Sequence, residues 1–320
     1  MVTKAPPKPK LLVLVGPTAV GKTGLSLKLA AEFSAEIISG DSMQVYRGMD
    51  IGTAKATAWE RQQVPHHMID IHEPDHPFSV AEFQDTARKL ILDIASRGKL
   101  PFIVGGTGLY VESVCYDFQF SESGSDEAYR EEQQAYADTF GPEALWEKLR
   151  EIDPASAERL HPNDQRRIIR AMEMFHLTGE RLSERLKEQK KQSPYELCIV
   201  GLTMDRALLY KRIEERIDLM LQEGLVDEVK HLMDQGYGKQ YISMQGLGYK
   251  EIIDFLDGRS SWEETVYLLK RDTRRFAKRQ LSWFRHMKDI NWVDMTELTN
   301  STTQFNEVHA IIADKLKFER

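Results

Sequence analysis

A glycine-rich string near the start of the chain has the spacing of a phosphate-binding loop. Gly16-Pro-Thr-Ala-Val-Gly-Lys-Thr23 matches GxxxxGK[ST] in full, between an apolar run and a helix-forming run. The backbone N–H groups of such a loop point at an anion, and the following helix adds about half a positive charge at its N-terminus. We therefore assign diphosphate or polyphosphate binding to Gly16, Pro17, Thr18, Ala19, Val20, Gly21, Lys22 and Thr23. Within this set we expect Lys22 on the outer phosphate and the Thr23 hydroxyl on Mg²⁺.

A carboxylate that could work beside this loop is harder to find. Enzymes with this loop usually hold Mg²⁺ with a second carboxylate at the end of another strand. The run Pro101–Val104 reads as a strand, but Gly105-Gly-Thr-Gly108 follows it. The comparable carboxylate is Asp41, after a predicted strand at Glu36–Ser39. We place Asp41 at the end of a strand beside the phosphate-loop strand, facing the ligand crevice, where it binds metal through water or takes a proton from a nucleophile. The alternative is an ordinary Gly-Asp turn.

The elements that must position these residues alternate between strand and helix patterns. Lys10–Val15 is a short apolar run, and Lys22–Phe33 has helical spacing. A capping box, Ser79-Val-Ala-Glu82, opens another helix before the Pro101–Val104 strand. This alternation predicts an α/β fold: a P-loop NTPase-like parallel sheet with helices on both faces.

The middle of the chain breaks that alternation. Residues 119–195 are charged, mostly helical in pattern and without a good strand, so we predict a helical insertion domain there. The core domain then consists of 1–118 and 196–320. In its second part we expect a return strand at Leu197–Leu202, mainly helices after it, and a last short strand at Ile290–Asp294.

Composition limits the classes of partner. The chain has 320 residues, 41% of them hydrophobic, a net charge of −7 and two distant cysteines. No apolar run approaches the roughly 20 residues of a membrane span. We expect no membrane association, a reducing cytoplasmic location and a monomer. An acidic protein binds nucleic acid only through a local basic patch.

Several further strings carry a resemblance to a known family. In chain order they are Asp41-Ser-Met-Gln-Val-Tyr-Arg47, Asp50-Ile-Gly-Thr-Ala-Lys55, Pro65-His-His-Met-Ile-Asp70, Gly105-Gly-Thr-Gly-Leu-Tyr110, His161-Pro-Asn-Asp-Gln-Arg-Arg-Ile-Ile-Arg170, Gly248-Tyr-Lys-Glu251 and Ala277-Lys-Arg-Gln280. With the phosphate loop, they resemble bacterial tRNA dimethylallyltransferases over residues 10–290. Ala56 and Val20 depart mildly from the family pattern, outside the expected chemistry. The Cys/His pair of a eukaryotic zinc finger is absent from the sequence.

The resemblance implies a reaction in which the loop holds a leaving group. An exocyclic adenine amine attacks the first carbon of dimethylallyl diphosphate, and diphosphate departs. Asp41 would be the general base, and Thr107 would orient the substrates. In Lys211-Arg-Ile-Glu-Glu-Arg216, either Arg212 or Arg216 is a candidate second clamp on the diphosphate; the alternative is a solvated helix face.

The resemblance also implies that the partner is the anticodon stem-loop of tRNA. The residues expected to contact it are Asp41, Ser42, Met43, Gln44, Thr107, Arg130, Gln165, Arg166, Arg167, Ile168, Ile169, Arg274, Arg275 and Lys278. The Gln44 amide suits an adenine edge. Two basic stripes supply positive charge. One is Arg166, Arg167 and Arg170; the other is Lys270, Arg271, Arg274, Arg275, Lys278, Arg279 and Arg285, opposed only by Asp272.

Three alternatives remain at this point. A small-molecule or nucleotide kinase would share the phosphate loop and the sheet, although it would not need the arginine stripes. A non-catalytic RNA-binding module would not need the intact loop or Asp41. Finally, His66, His67, His72 and His76 lie near acidic residues and resemble a metal cluster, but their spacing favours structural or loop roles.

Overall fold

The chain divides into two compact units, which are described separately. The computed structural model describes residues 8–120, 124–188, 192–297 and 301–318. The core unit comprises residues 1–117 and 193–320, and the helical unit comprises residues 118–192. None of the described helices is long and apolar enough to cross a membrane.

Within the described residues, the core unit has one six-stranded sheet, and all of its pairings are parallel. The strands are β1 Lys10–Val15, β2 Ala35–Gly40, β3 His66–His67, β4 Leu100–Gly105, β5 Glu196–Thr203 and β6 Ile290–Asp294. Their spatial order is β3-β2-β4-β1-β5-β6. The predicted parallel sheet is confirmed. The two-residue edge strand β3 was not predicted, because it is too short to carry a hydrophobic pattern.

The described helices, in chain order, are α1 Lys22–Glu32, α2 Ala58–Gln63, α3 Val80–Ser96, α4 Gly108–Cys115, α5 Glu127–Phe140, α6 Pro142–Ile152, α7 Pro154–Arg159, α8 Gln165–Thr178, α9 Leu182–Glu188, α10 Arg206–Gln222, α11 Leu225–Asp234, α12 Tyr249–Leu256, α13 Trp262–His286 and α14 Ser301–Lys315. In the core unit, α1 packs with α14 and α3 packs with α4, and both pairs contact the sheet. Helices cover both faces, which is why strands such as β1 are almost wholly buried.

Side-chain caps fix where several helices begin. Ser79 and Ser261 accept the N–H groups of Glu82 and Glu264 at the starts of α3 and α13. At the start of α3, however, the Glu82 carboxylate contacts His72 and His76 instead of completing the predicted capping box. The cap at Ser79 therefore forms while the glutamate serves another contact.

The helical unit has a small core of its own. α5, α6, α7 and α8 pack against one another around eight buried residues. These are Ala137, Leu145, Leu149, Ala157, Ile168, Ile169, Ala171 and Met172. Asp153 caps α7, and Pro154 occupies its first turn, as the Asp-Pro pair indicates.

Candidate active site

A cavity of about 840 Å³ lies at the carboxyl edge of the sheet in the core unit. Its lining includes Thr18, Ala19, Gly21, Lys22, Thr23, Asp41, Ser42, Met43, Gln44, Thr107, Arg212, Arg216 and Gln280. Elements far apart in the chain thus meet the phosphate loop here, at the edge where parallel sheets bind ligands.

The loop wraps closely around its own lysine. A side chain at Gly16 would lie 2.9 Å from the carbonyl oxygen of Leu202, and Gly21 has φ +107°, so both positions favour glycine. The Lys22 ammonium donates to the carbonyl oxygens of Gly16 and Pro17 at 2.8 Å each. Burial, reinforced by the charge of Arg216 and opposed by Asp41, lowers the pKa of Lys22 to about 7. A bound anion would stabilise its charged form.

Two arginines of α10 add positive charge to the cavity. Arg212 and Arg216 are one turn apart, so both extend from the same face of the helix. The Arg212 Nη1 atom is buried and has no hydrogen-bond partner among the described residues. Burial and the neighbouring Arg212 lower the pKa of Arg216, although Asp41 partly opposes this effect. Partly buried cations of this kind are costly until an anion pairs with them, so both arginines have the chemistry of a diphosphate clamp.

Asp41 lines the same cavity, but the strand that precedes it does not have the predicted position in the sheet. β4, rather than β2, is the neighbour of β1 on this side, because β4 pairs with both strands. Asp41 therefore does not follow the strand beside the phosphate loop, and that part of the prediction is wrong. Gly40, Gly105 and Val15 are in register across the three strands, and a side chain at Gly105 would collide with the Gly40 backbone. Glycine at 105 lets the end of β2 approach closely, so Asp41 still borders the cavity.

The environment of Asp41 favours proton uptake. Burial raises the pKa of its carboxyl, opposed by backbone N–H groups and by the positive charge of Lys22. Its Oδ1 accepts a hydrogen bond from the Met43 N–H at 2.8 Å, which fixes its orientation. A carboxylate with a raised pKa beside buried cations is a suitable general base.

Thr107 holds the segment that follows Asp41. Its hydroxyl oxygen accepts the Ser42 N–H at 3.1 Å, and its own N–H donates to the Gly40 carbonyl at 3.2 Å. The Gln44 side-chain oxygen accepts from the Ser39 hydroxyl at 2.8 Å. The Gln44 amide nitrogen donates to the carbonyls of Thr53 and Ala54 at 3.3 and 3.4 Å. Both ends of the Gln44 amide therefore have protein partners, and reading a base edge would require them to exchange.

Gln280 ends one of the strings that carry the family resemblance, but the sequence did not predict its role as a positioning residue. Its side-chain oxygen accepts the Thr18 N–H of the phosphate loop at 2.9 Å, and its amide nitrogen donates to the Gly106 carbonyl at 3.0 Å. A side chain at Gly106 would collide with this amide. Gln280 thus joins α13 to the loops after β1 and β4, and it lies 262 residues beyond Thr18 in the chain.

Glu228 of α11 contacts two of the sequence strings that carry the family resemblance, Asp50–Lys55 and Gly248–Glu251. Its carboxylate accepts the N–H groups of Asp50, Ile51 and Gly52 at 2.9, 2.7 and 3.1 Å. It also accepts the Tyr249 hydroxyl at 2.6 Å. The carboxylate therefore fixes the loop after Met49 against α12, which is a structural role.

The residues predicted to bind tRNA in the helical unit fall into two groups. Ile168 and Ile169 have buried side chains in its core, so the prediction that these side chains touch RNA is corrected: they pack. Arg166 and Arg167 are exposed on α8, and Arg167 pairs with Asp164 at 3.1 Å.

Gln165 and Arg130 are tied to neighbouring side chains of the same unit. The Gln165 side chain accepts a hydrogen bond from Gln134 at 2.9 Å. Arg130 bonds Glu173, whose side chain is 0% exposed.

The basic stripe on α13 has more acidic partners than the sequence predicts. Arg271 and Arg275 share Asp272 as a partner, at 2.9 and 3.3 Å. Beyond Asp272, Arg274 pairs with Glu214 at 2.5 Å and Lys270 pairs with Asp218 at 2.6 Å. The expectation that only Asp272 opposes the stripe is therefore wrong, because α10 packs alongside and supplies two further acids. Arg275, Lys278, Arg279 and Arg285 are the exposed members.

The four histidines separate into two places. His66 Nδ1 contacts the Val64 carbonyl at 2.7 Å, and His67 Nε2 contacts Glu36 at 2.8 Å. His72 and His76 instead converge on Glu82.

Comparison with known proteins agrees with this architecture. Residues 44–287 match the family model for IPP transferase, and residues 9–73 match the model for isopentenyl transferase. A tRNA dimethylallyltransferase from Geobacillus thermodenitrificans is 51% identical over 310 residues, covering 97% of this chain and 98% of the relative. One from Halalkalibacterium halodurans is 51% identical over 311 residues, with the same coverage of both chains.

Solved structures give the same result. The full-length tRNA isopentenylpyrophosphate transferase from Bacillus halodurans superposes with a TM-score of 0.74 at 51% identity, covering 97% of both chains. A eukaryotic dimethylallyltransferase acting on tRNA superposes with a TM-score of 0.83 at 31% identity, covering 96% of this chain and 79% of that one. The chain therefore belongs to the IPP transferase family, together with these tRNA dimethylallyltransferases.

Proposed function

We propose that this chain transfers the dimethylallyl group of dimethylallyl diphosphate to the exocyclic N6 amine of the adenosine 3′-adjacent to the anticodon in tRNA, releasing diphosphate. One observation carries the proposal: a single cavity joins a complete phosphate loop, two arginines and a carboxylate with a raised pKa. The family supplies the identity of the substrates, and the site supplies the groups that such a transfer needs.

The leaving diphosphate belongs to the phosphate loop in this proposal. The loop N–H groups, Lys22 and the pair Arg212 and Arg216 surround the position of the anion. Their positive charge is present before the reaction, so it stabilises the negative charge that grows on the leaving oxygen without reorganisation. The buried and unpartnered Nη1 of Arg212 supports a direct contact of this residue with the anion. Arg216 is the second clamp.

The site also fits Mg²⁺ as the divalent cation. Thr23 stands at the loop position that binds this ion in such motifs, and its side chain is exposed where it borders the cavity. Mg²⁺ takes few protein ligands and completes its shell with phosphate oxygens and water, so one hydroxyl is an adequate protein contribution. When bound, the ion would supply further positive charge to the diphosphate.

Asp41 is the general base of the proposed transfer. The N6 nitrogen forms a bond to the first carbon of the dimethylallyl group, while the bond from that carbon to the diphosphate oxygen breaks. The N6 proton passes to the Asp41 carboxylate, and the bonding electron pair leaves with diphosphate. Thr107 positions Asp41 and the base through the Ser42 N–H. We assign contact with the target base to Ser42, Met43 and Gln44.

The anticodon stem-loop is held by basic side chains in this proposal. Recognition of a single-stranded loop needs splayed bases and backbone contacts. The exposed members of the stripe on α13, together with Arg166 and Arg167, supply the backbone contacts; Arg130 and Gln165 also remain candidates. The protein acts as a cytoplasmic monomer.

One incubation tests the function. Radiolabelled dimethylallyl diphosphate is mixed with tRNA from cells that lack the modification, with Mg²⁺ and without ATP. We expect label in the tRNA, and digestion to nucleosides should place it on one adenosine beside the anticodon. A failure to label tRNA would contradict the proposal.

A parallel incubation addresses the kinase alternative. It contains γ-labelled ATP and common small acceptors in place of the prenyl donor. Transfer of the phosphate label to an acceptor would favour a kinase, as would prenyl transfer in the first incubation that occurs only after ATP is added.

A further inference from the structure

His72, His76 and Glu82 form a compact group outside the cavity described above. The two imidazole rings are stacked, with centroids 3.8 Å apart and planes 8° from parallel. The His72 Nε2 atom lies 3.0 Å from Oε1 of the Glu82 carboxylate, and the His76 Nε2 atom lies 3.0 Å from both of its oxygens. None of the three residues lines the cavity that contains the phosphate loop.

The backbone fixes both histidines independently of this contact. The His72 N–H donates to the Val45 carbonyl at 3.0 Å, and the His72 carbonyl accepts the Arg47 N–H at 2.9 Å. The His76 carbonyl accepts the Tyr46 hydroxyl at 3.0 Å. Ser79 holds the first turn of α3, which carries Glu82. The three side chains are therefore brought together by anchored backbone rather than by their mutual attraction alone.

The three ligand atoms lie close enough together to share one metal ion. Zn²⁺ binds His nitrogen and Glu oxygen at about 2.1 Å, so neighbouring ligand atoms stand roughly 3.4 Å apart. The Nε2–oxygen separations of 3.0 Å are close to that edge, and all three ligand atoms lie within 4.8 Å of one another. Two histidines and one glutamate with an open fourth position are a common zinc donor set.

We propose that His72, His76 and Glu82 bind a divalent transition metal ion of the zinc class, with solvent as the fourth ligand. Each imidazole carries its proton on Nδ1 when its Nε2 binds the ion, and the two stacked rings turn about their Cβ–Cγ bonds on binding so that both Nε2 lone pairs point at it. The site is solvent-accessible, because the three side chains are between 20% and 38% exposed. The ion would brace the start of α3 against the loop that pairs with Val45–Arg47, shortly after Asp41. It is separate from the cation expected at Thr23.

Zinc stoichiometry tests the site in the full chain. After treatment with a chelator and dialysis, Zn²⁺ is titrated in and bound metal is counted by equilibrium dialysis. We expect one ion per chain that His72→Gln, His76→Gln and Glu82→Gln each weaken by more than about tenfold, the lower end of the loss seen when even an outer-shell partner is removed. Co²⁺ in place of zinc should give the visible absorption of a tetrahedral site, and the same three variants should lose it.

Two control variants separate this site from general metal affinity. Glu73→Gln removes a carboxylate of the same loop that pairs with Arg47, and His231→Gln removes an exposed histidine of α11. Both should bind zinc as the unsubstituted chain does. The proposal is overturned if no stoichiometric binding occurs, or if folded His72→Gln and His76→Gln bind zinc with unchanged affinity. Circular dichroism confirms that each variant is folded.

Discussion

In the cavity of the core unit, Lys22 donates hydrogen bonds to the backbone carbonyls of Gly16 and Pro17, and Arg212 keeps a buried nitrogen without a partner among the described residues. In the helical unit, by contrast, Arg130 and Arg170 both bond one buried carboxylate, Glu173. The cations of the two regions therefore differ in whether a carboxylate pairs with them: Arg130 and Arg170 are 36% and 44% exposed and share the buried Glu173. The cavity retains positive charge that an anionic ligand can pair with, and the helical unit satisfies much of its positive charge internally. The number of arginines in a sequence string does not distinguish these cases, but the carboxylates around them do.

The largest effect on the rate of transfer is expected from removing Asp41, the one proposed base of the cavity. Asp41→Asn keeps an oxygen for the Met43 N–H but cannot take the N6 proton. Single-turnover transfer should slow by about 10²–10⁴-fold, the usual contribution of a positioned base. Affinity for tRNA, measured by filter binding, should stay within a few-fold. A variant that retains more than half of the normal rate would remove Asp41 from the mechanism.

Glu173→Gln tests the other side of the comparison. Burial raises the pKa of Glu173, but hydrogen bonds from Arg170, the Asp126 N–H and Arg130 outweigh it, and the net pKa is lowered. Its contribution is therefore complete above the ordinary glutamate pKa and is lost as pH falls through the lower folded value. At neutral pH, denaturant titration should show a loss of about 1–3 kcal/mol, the cost of weakening charged hydrogen bonds at a buried site. Unchanged stability would show that these arginines are not engaged as described.

Arg212→Met tests whether the unpartnered cation of the cavity awaits the diphosphate. Losing one charged hydrogen bond of roughly 1.5–3 kcal/mol should weaken dimethylallyl diphosphate binding by about 10–100-fold, as measured by calorimetry. Stability should not fall, since no protein contact of Nη1 is lost. Lys211→Met, on the exposed side of α10, is the matched control and should bind normally. Normal binding by Arg212→Met as well would assign the clamp to Arg216 alone.

The lowered pKa of Lys22 predicts how this binding depends on pH. In the protein without ligand, Lys22 loses its charge as pH rises through about 7. A bound diphosphate favours the charged form and raises the pKa of Lys22 again. Above that value binding must take up a proton, so affinity should fall by up to about tenfold per pH unit. Lys22→Met is the reference, since it removes this step while the ligand titrates identically. Parallel pH profiles for the two proteins would mean that the Lys22 charge is not coupled to binding.

The smallest effect is expected on the surface of α13. Arg275, Lys278 and Arg285 are exposed cations of α13 that do not line the cavity. Neutralising them to glutamine should make the slope of log affinity for tRNA against log salt shallower by roughly 2–3 units. Dimethylallyl diphosphate binding should be unaffected. Lys211, Lys230 and Lys317 changed to glutamine serve as a control of equal charge. A slope that does not change would shift the RNA contacts to Arg166 and Arg167.

Local patterns predicted much of the core unit and less of its site. The phosphate loop and the strands at Lys10–Val15 and Ile290–Asp294 were identifiable because their signals lie within a few consecutive residues. The order of the strands was not identifiable from the sequence, since the insertion of β4 between β1 and β2 depends on the close approach of Gly40 and Gly105. That approach is a tertiary property.

The contacts of the site that the sequence did not predict join residues that are far apart in the chain. Gln280 acts on a loop 262 residues away, and Glu228 caps backbone groups 176–178 residues away. No spacing rule connects such partners. Glu82 was assigned to a helix cap because its neighbour Ser79 fits one, whereas its carboxylate lies between two histidines.

The central claim is that one cavity couples diphosphate departure to prenyl transfer with Asp41 as the base. The direct measurement is a single turnover without ATP, in which released diphosphate and prenylated tRNA are quantified from the same samples. We predict equal amounts at every time point in the unsubstituted chain and parallel slowing of both in Asp41→Asn. Diphosphate release that outpaces tRNA prenylation, or prenylation that persists at full rate in Asp41→Asn, would contradict it.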